Sequence, residues 1–368
     1  MTPSKVYFAD FRATYEENLL QKLTRLIDTA GLGTLPMKNR YVAIKMHFGE
    51  PGNLAFLRPN YAKAVADYVR KQGGKPFLTD CNTLYVGGRK NALDHLDAAY
   101  ENGFFPLSTG CQILIADGLK GTDEAVVPVD GEYVTAAKIG RAIMDADVFI
   151  SLTHFKGHES TGFGGTIKNI GMGCGSRAGK MEMHSAGKPI VDADSCVHCG
   201  ACAKNCAHGA ISFPAPAKKA QIDHSKCVGC GRCIGICPED AIAAGMDESN
   251  DILNRKMAEY TKAVVQHRPC FHISLVTDVS PNCDCHPEND APIVPNVGMF
   301  ASMDPVALDA ACADAVNRQP VLAHTALTAQ PRLPDYFDTV HPDTNWRVQL
   351  THGEQIGLGT VHYELIQI

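Results

Sequence analysis

The chain has few of the features that mark a membrane, nucleic-acid-binding or exported protein. No apolar run approaches the length of about eighteen residues that a membrane-spanning helix needs. Aromatic residues make up 7%, with a single tryptophan, and the net charge of -6 provides no basic footprint for nucleic acid. The first residues are polar and contain no apolar signal segment. The sequence therefore predicts no membrane span, no nucleic-acid partner and a cytoplasmic location.

Cysteine, in contrast, is abundant and unevenly distributed. The 368 residues include 15 cysteines, and eight of these lie between Cys196 and Cys237. Disulfides are rare in the reducing cytosol, where grouped thiols are more often metal ligands. The local density therefore favours metal binding in this segment.

Two segments, 196–206 and 227–237, repeat the spacing C-x-x-C-x-x-C-x-x-x-C. Bacterial ferredoxins bind two 4Fe–4S clusters with this spacing, and the fourth cysteine of each run serves the other cluster. Zinc is the alternative, but zinc sites use two pairs of ligands rather than three plus one. Ala207 stands where the motif usually has proline, as at Pro238. We predict one cluster on Cys196, Cys199, Cys202 and Cys237, and a second on Cys227, Cys230, Cys233 and Cys206.

Outside this segment, short apolar runs alternate with helical patterns. Strands are predicted at 41–46, 76–79, 112–116, 148–152 and 271–277, and helices at 61–72, 93–102, 252–266 and 304–316. The alternation continues on both sides of the cysteine-rich segment. The predicted fold class is therefore α/β, a largely parallel sheet domain interrupted by a ferredoxin-like α+β two-cluster insert. The α/β domain is assigned to 1–189 and 246–368, and the insert to 190–245.

Polar and thiol side chains follow four of the predicted strands. Ligands of parallel α/β sheets bind beyond the carboxyl ends of the strands, so we expect these side chains to form one site. They are His47 and Glu50, then Asp80 and Cys81, then His154, Lys156 and His158, and finally Cys283, Asp284, Cys285 and His286. The candidate catalytic residues are His47, His154, Lys156, His158, Lys168, Cys283 and Cys285.

Residues 161–180 (TGFGGTIKNIGMGCGSRAGK) are rich in glycine and carry basic side chains. Successive backbone N–H groups in such a segment can form an anion-binding nest. The order of residues matches neither a P-loop nor a dinucleotide fingerprint. We predict an anion-binding or substrate-facing loop, flanked by Lys156 and Lys168, that suits a small substrate with a carboxylate or phosphate. A flexible linker is the alternative.

The remaining cysteines divide into two kinds. The run Cys283-Asp284-Cys285-His286 is bracketed by prolines and is a candidate third metal or redox site, with Cys283, Cys285 and His286 as possible ligands; a structural thiol pair is the alternative. Cys174, in the glycine-rich segment, is a candidate ligand or reactive thiol. Four others lie in apolar contexts and are predicted to be buried core thiols: Cys81, Cys111, Cys270 and Cys312.

Taken together, these segments resemble the domain of unknown function 362 family, in its iron–sulfur branch with an inserted bacterial two-cluster ferredoxin domain. The matching features are MHFGEPGN at 46–53, HFKGHESTGFGGTIKNIGMG at 154–173, NCDCHPENDAPIVP at 282–295 and FASMDPVALDAACAD at 300–314. The resemblance implies an α/β domain with an embedded electron relay. It names no substrate.

The hypothesis that follows is a ferredoxin-linked oxidoreductase. Electrons from a redox partner protein enter through two 4Fe–4S clusters and reach the strand-end site, where an additional metal or small organic cofactor is possible and a histidine or lysine donates protons. Two alternatives stay open. One is a non-enzymatic electron carrier or adaptor that docks on a partner enzyme, and the other is a non-redox enzyme with structural or redox-sensing clusters.

Overall fold

The strands of the protein, described here from a computed structural model, are distributed over the whole chain. The structure describes residues 2–84, 87–184, 188–245, 249–329 and 331–368. In chain order the strands are β1 (Ser4–Asp10), β2 (Tyr41–Lys45), β3 (Lys75–Asp80), β4 (Gln112–Ile115), β5 (Glu124–Pro128), β6 (Ala136–Gly140), β7 (Val148–His154), β8 (Lys156–His158), β9 (Gly162–Gly164), β10 (Pro189–Val191), β11 (Ile211–Ser212), β12 (Gln221–Ile222), β13 (Ile242–Ala244), β14 (Cys270–Val276), β15 (Gly298–Ser302) and β16 (Tyr363–Gln367).

Helices alternate with these strands outside the cysteine-rich segment. They are α1 (Leu19–Thr29), α2 (Pro59–Lys71), α3 (Ala92–Glu101), α4 (Pro106–Thr109), α5 (Arg141–Met144), α6 (Thr166–Cys174), α7 (Arg177–His184), α8 (Ala201–Asn205), α9 (Arg232–Ile236), α10 (Asn250–Val265), α11 (Pro305–Asn317), α12 (Tyr336–Val340) and α13 (Arg347–Gln355). Every strand and helix predicted from the sequence occurs, with ends shifted by no more than two residues.

Eight strands form one sheet in the order β16–β1–β15–β14–β7–β2–β3–β4. β14, β7, β2, β3 and β4 are parallel neighbours. β15 runs antiparallel to both β14 and β1. The predicted α/β class with a largely parallel sheet is confirmed. The strands β1, β15 and β16, which extend the sheet beyond β14, had no counterpart in the sequence prediction.

Both faces of the sheet are covered, and the central strand β7 shows how. Phe149 of β7 packs into the core under α6, α10 and α11, whereas Val148, Ile150 and Leu152 pack into the core under α1 and α2. All seven β7 residues are buried. A strand between two apolar layers reads as a continuous apolar run, which is the pattern that located this strand in the sequence.

The cysteine-rich segment has a small core of its own. Two short antiparallel pairs, β10 with β13 and β11 with β12, accompany the helices α8 and α9. Cys196, Cys202 and Ile234 are buried there together with Ala241 and Ile242. The predicted boundary between 245 and 246 adjoins residues 246–248, which lie outside the described residues.

The glycine-rich segment 161–180 is not the loop that its composition predicted. It forms β9, α6 and the first half of α7. Ile167, Ile170 and Cys174 recur at helical spacing and are fully buried. Burial of these side chains stabilises the helix despite the conformational freedom of the glycines. Gly171 is needed for close approach, because a Cβ at this position would collide with the backbone oxygen of Met257 on α10.

Candidate functional site

The carboxyl ends of β14, β7, β2 and β3 meet at one edge of the sheet, because these four strands are parallel neighbours. A cavity of about 230 Å³ lies there. Its lining includes all of the candidate catalytic residues predicted from the sequence, which are His47, His154, Lys156, His158, Lys168, Cys283 and Cys285. His286 also lines the cavity. The glycine-rich segment contributes through α6 and α7 rather than as a loop. We refer to this cavity as the strand-end pocket.

Asp284 is the buried anion of the strand-end pocket. Its carboxylate lies 2.8 Å from Lys156 Nζ and 3.1 Å from His154 Nδ1. The other ring nitrogen of His154 lies 2.8 Å from the Thr277 carbonyl, so both ring nitrogens face oxygen acceptors. Burial opposes ionisation of Asp284, but Lys156 and the histidines outweigh it and hold the pKa of the carboxyl well below its usual value.

Arg89 organises the opposite wall, and sequence reasoning missed it. Its guanidinium contacts Glu50 Oε2 at 2.5 Å and His47 Nε2 at 2.8 Å, and donates to the Cys285 carbonyl at 3.1 Å. Burial lowers the pKa of His47 well below 6.5, with Arg89 acting in the same direction and Asp284 against it. No local sequence pattern could have located Arg89, because the burial of Glu50, which requires a cation nearby, is set by the fold.

The thiols of Cys283 and Cys285 lie close together, but the histidine beside them is not the predicted His286. Ligand atoms of Cys283, Cys285 and His158 lie within 4.8 Å of one another. His286, predicted as the third member, instead places Nε2 2.9 Å from Glu159 Oε1. Lys168 Nζ donates to Cys283 Sγ at 3.3 Å.

The pair of sulfurs is electrostatically asymmetric. The hydrogen bond from Cys283 lowers the pKa of Cys285 to about 7, whereas burial raises the pKa of the Cys283 thiol well above its usual value. Burial lowers the pKa of His158 to about 4, so its ring is neutral near pH 7. One proton shared between two sulfurs leaves one negative charge beside Lys168.

Four lysines line the strand-end pocket, and only two have carboxylate partners. Lys45 pairs with Asp80 at 3.1 Å and Lys156 with Asp284. Within the described ranges Lys168 and Lys180 form no ion pair with a carboxylate; Lys180 Nζ donates to the Gly175 carbonyl at 2.6 Å. Lys45 was not predicted as a site residue, because it is the last residue of β2. Counting Arg89 and Glu159, five lysine and arginine side chains and three carboxylates line the pocket.

The eight clustered cysteines surround two smaller cavities. The first is lined by Cys196, Cys199, Cys202 and Cys237. The second is lined by Cys206, Cys227, Cys230 and Cys233. All eight thiols are free, and backbone N–H groups of Ala220, Ala210 and Gly229 point at Cys196, Cys206 and Cys227, with N–S distances of 3.4, 3.4 and 3.5 Å. Four thiols around each space, with N–H donors directed at sulfur, form a donor set that fits a 4Fe–4S cluster.

Helix α7 lies between these cavities and the strand-end pocket. Arg177, at its start, is 2% exposed and packs so closely that a Cβ at Gly231 or Gly235 would collide with its side chain. Met181 belongs to the small core of the cysteine-rich segment. Lys180 and His184 line the strand-end pocket. One short helix therefore touches both sites.

The five remaining cysteines outside the two cysteine-lined cavities differ in their burial. Cys111 and Cys312 are buried core residues, as predicted. Cys81 is buried and also lines the strand-end pocket, while Cys270 is only partly buried. Cys174 is fully buried, and burial raises the pKa of its thiol to about 11, which does not suit a reactive thiol.

The class that fold and site define is an α/β protein with a cationic pocket at its strand ends and two cysteine-lined cavities beside it. More particularly, the chain belongs to the DUF362 family, whose description is "Domain of unknown function (DUF362)" and whose profile matches residues 42–314. Across the described part of the chain, no helix is both long and apolar enough to cross a membrane.

Individual relatives are distant. A thylakoid-associated protein of Synechocystis sp. is 28% identical over 161 residues, which are 43% of this chain and 46% of the relative. The chain thus matches less than half the length of this relative.

Two solved structures are similar over about half of their own lengths. One is the lactate racemase apoprotein of Thermoanaerobacterium thermosaccharolyticum, at 15% identity and a TM-score of 0.36, covering 75% of this chain and 51% of that one. The other is a Thermotoga maritima protein, at 12% identity and a TM-score of 0.37, covering 73% and 52%.

Proposed function

We propose that this protein is an iron–sulfur electron-transfer protein of the iron–sulfur branch of its family, an oxidoreductase in which two 4Fe–4S clusters serve the strand-end pocket. The observation that carries the proposal is the division of eight cysteines into two groups of four, each around its own cavity. We further propose that 190–245 is an inserted ferredoxin-like domain; its separate small core and the closing pair β10–β13 support this.

A 4Fe–4S cluster supplies one-electron transfer when bound. The chain's own residues have distinct tasks around it. The cysteine thiolates hold the iron, and the N–H groups of Ala210, Ala220 and Gly229 stabilise the negative charge on sulfur. Arg177 packs against Gly231 and Gly235 beside the second cysteine cavity and keeps α7 in contact with it.

In the strand-end pocket, Lys168 and Lys180, which form no ion pair with a carboxylate of the described residues, suit a small anionic substrate. His154 and Lys156, held by Asp284, line the pocket and are the proposed proton donors. A non-enzymatic carrier has no need of an enclosed pocket lined by titratable groups, and this favours the oxidoreductase. A redox partner protein delivers the electrons. A cytoplasmic location is part of the proposal and is supported by fifteen free thiols.

The test is metal analysis of protein purified without oxygen. We expect about eight irons and eight sulfides per chain, with paramagnetic resonance signals of reduced 4Fe–4S clusters. The Cys199→Ala variant should lose one cluster and retain about four irons, because this residue lines only the first cysteine cavity.

The matched control is Cys111→Ala, a buried thiol outside both cavities, which should keep the full iron content. Zinc in place of iron, or iron content that Cys199→Ala leaves unchanged, would overturn the proposal.

A further inference from the structure

The two thiols in the strand-end pocket have the geometry of a reversible pair. The His286 N–H donates to the Cys283 carbonyl at 3.2 Å and closes a β-turn over residues 283–286. The sulfurs of Cys283 and Cys285 lie within 4.8 Å of each other, and the Cys283 thiol donates to Asp284 Oδ1 at 3.4 Å. A disulfide needs Cα atoms within roughly 7 Å, a limit that residues of one β-turn satisfy.

The surroundings of the pair distinguish its two members. Cys283 is 1% exposed, whereas Cys285 is partly exposed, and both line the pocket. Lys168 places its ammonium 3.3 Å from Cys283 Sγ. Cys285 is the more exposed of the two, and the lysine stabilises negative charge on the inner sulfur once that sulfur loses its proton.

A metal site is the competing explanation, and the hydrogen bonds of His158 oppose it. Nδ1 of His158 accepts from the backbone N–H groups of Ser160 and Thr161, at 3.0 and 3.3 Å. In the neutral ring the proton therefore lies on Nε2, which then has no lone pair for a metal. Histidine ligands of metals show the opposite arrangement, in which the second ring nitrogen donates to an acceptor.

We propose that Cys283 and Cys285 are a redox-active dithiol that reduces a small anionic disulfide bound in the strand-end pocket. The Cys285 thiolate attacks one sulfur of the substrate, forming a mixed disulfide and releasing the first half of the substrate as a thiolate. Cys283 Sγ, having released its proton to that thiolate, then attacks Cys285 Sγ. The second half leaves as a thiolate. The two cysteines are thereby oxidised to the Cys283–Cys285 disulfide, and the substrate disulfide is reduced by the two electrons that they lose.

The charge of the pocket selects the substrate class. Lys168 and Lys180 form no ion pair with a carboxylate among the residues that the structure describes, so their ammonium groups are available to attract an anionic substrate into this pocket. The cavity of about 230 Å³ admits a small molecule rather than a protein loop. Return of the disulfide to the starting state, one thiol and one thiolate, takes two electrons and one proton. The source of these electrons rests on the proposed function, in which each 4Fe–4S cluster donates one electron at a time.

The first experiment equilibrates the anaerobic, cluster-loaded protein with mixtures of oxidised and reduced dithiothreitol, then traps free thiols with N-ethylmaleimide. Peptide mapping should show Cys283 and Cys285 converting together between two alkylated thiols and one intramolecular disulfide. Lys168→Met should shift the midpoint toward the disulfide by about tenfold in the ratio of reduced to oxidised reagent, because the lysine stabilises the thiolate. Lys63→Met, at an exposed lysine paired with Asp67, should leave the midpoint unchanged.

The second experiment compares two small disulfides of opposite charge, dithiodipropionate and cystamine. Their rates of oxidising the reduced protein are each divided by their rates with free dithiothreitol, which removes intrinsic reactivity. The corrected rate should favour the dianion by about tenfold or more. Lys168→Met should reduce that preference.

Two outcomes overturn the inference while leaving the proposed function intact. One is a protein with both clusters in which Cys283 and Cys285 remain alkylatable thiols in every mixture. The other is stoichiometric binding of added zinc that protects both thiols from alkylation. Equal corrected rates for the two disulfides overturn the anionic class. Conversely, reversible disulfide formation in protein that contains no iron supports the dithiol and overturns the proposed function.

Discussion

At the scale of single residues, the strand-end pocket depends on a buried ion pair that no local sequence pattern predicts. Glu50 and Arg89 are almost fully buried and are 2.5 Å apart. Through its remaining N–H groups Arg89 also holds His47 and the Cys285 carbonyl. A buried charge that loses its partner is strongly unfavourable, because the low-dielectric interior offers no water to replace the partner.

We predict that Glu50→Gln lowers the free energy of unfolding by about 3–5 kcal/mol, since Arg89 is left without its carboxylate. Urea denaturation under anaerobic conditions measures the effect. The double variant Glu50→Gln/Arg89→Met should recover part of this loss, because it removes the unpaired charge. If the double variant were as unstable as the sum of both single changes, the pair would not be coupled as described.

At the scale of secondary-structure elements, α6 begins against a side chain from another helix. Asp309, on α11, accepts hydrogen bonds from the N–H groups of Thr166 and Ile167 at 2.6 and 2.8 Å. The first turn of a helix leaves its N–H groups without partners, and these two are buried. A distant carboxylate thus fixes the start of α6, whose first turn carries Lys168 into the pocket.

Replacing Asp309 by alanine should destabilise the protein by about 1–3 kcal/mol, because two buried N–H groups lose their acceptor. Thermal and urea unfolding of the variant measure this. Asp309→Asn, which keeps one acceptor oxygen, should lose less. Equal stability of the alanine variant and the unchanged protein would show that α6 obtains its cap elsewhere.

At the scale of the whole molecule, burial of neutral histidines links stability to pH. His272 lies inside β14, fully buried, with Nδ1 2.9 Å from Ser151 Oγ. Burial lowers its pKa to about 3, well below the usual value. The folded protein therefore leaves His272 neutral at a pH where the unfolded chain already binds a proton. Stability from this group is complete above about pH 6.5 and is lost as the pH falls toward the folded pKa.

We expect His272→Gln to flatten the pH dependence of unfolding. Between about pH 7.5 and about pH 5.5 the unchanged protein should lose about 1.4 kcal/mol more stability than the variant, which is the free energy of protonating one histidine of normal pKa in the unfolded chain. Denaturant unfolding at both pH values checks this. Parallel losses in the two proteins would mean that His272 titrates normally in the folded state.

Much of the fold and part of the site followed from the sequence alone, for local reasons. Strand and helix positions followed from hydrophobic periodicity, and the α/β class from their alternation. The grouping of eight cysteines followed from spacing, since ligands a few residues apart must share a neighbourhood. Asp304 was placed at the start of a helix, and its side chain indeed accepts from Val306 and Ala307.

Only the tertiary structure decided which groups meet across the chain. It brought Arg89 to Glu50, replaced His286 by His158 beside the two thiols, and turned the glycine-rich segment into packed helices. These outcomes depend on pairing between segments far apart in sequence, and a local pattern carries no record of such contacts. The positions of the predicted strand ends thus identified many of the residues that line the pocket. The partners of these residues, and hence their charge states, depend on tertiary packing.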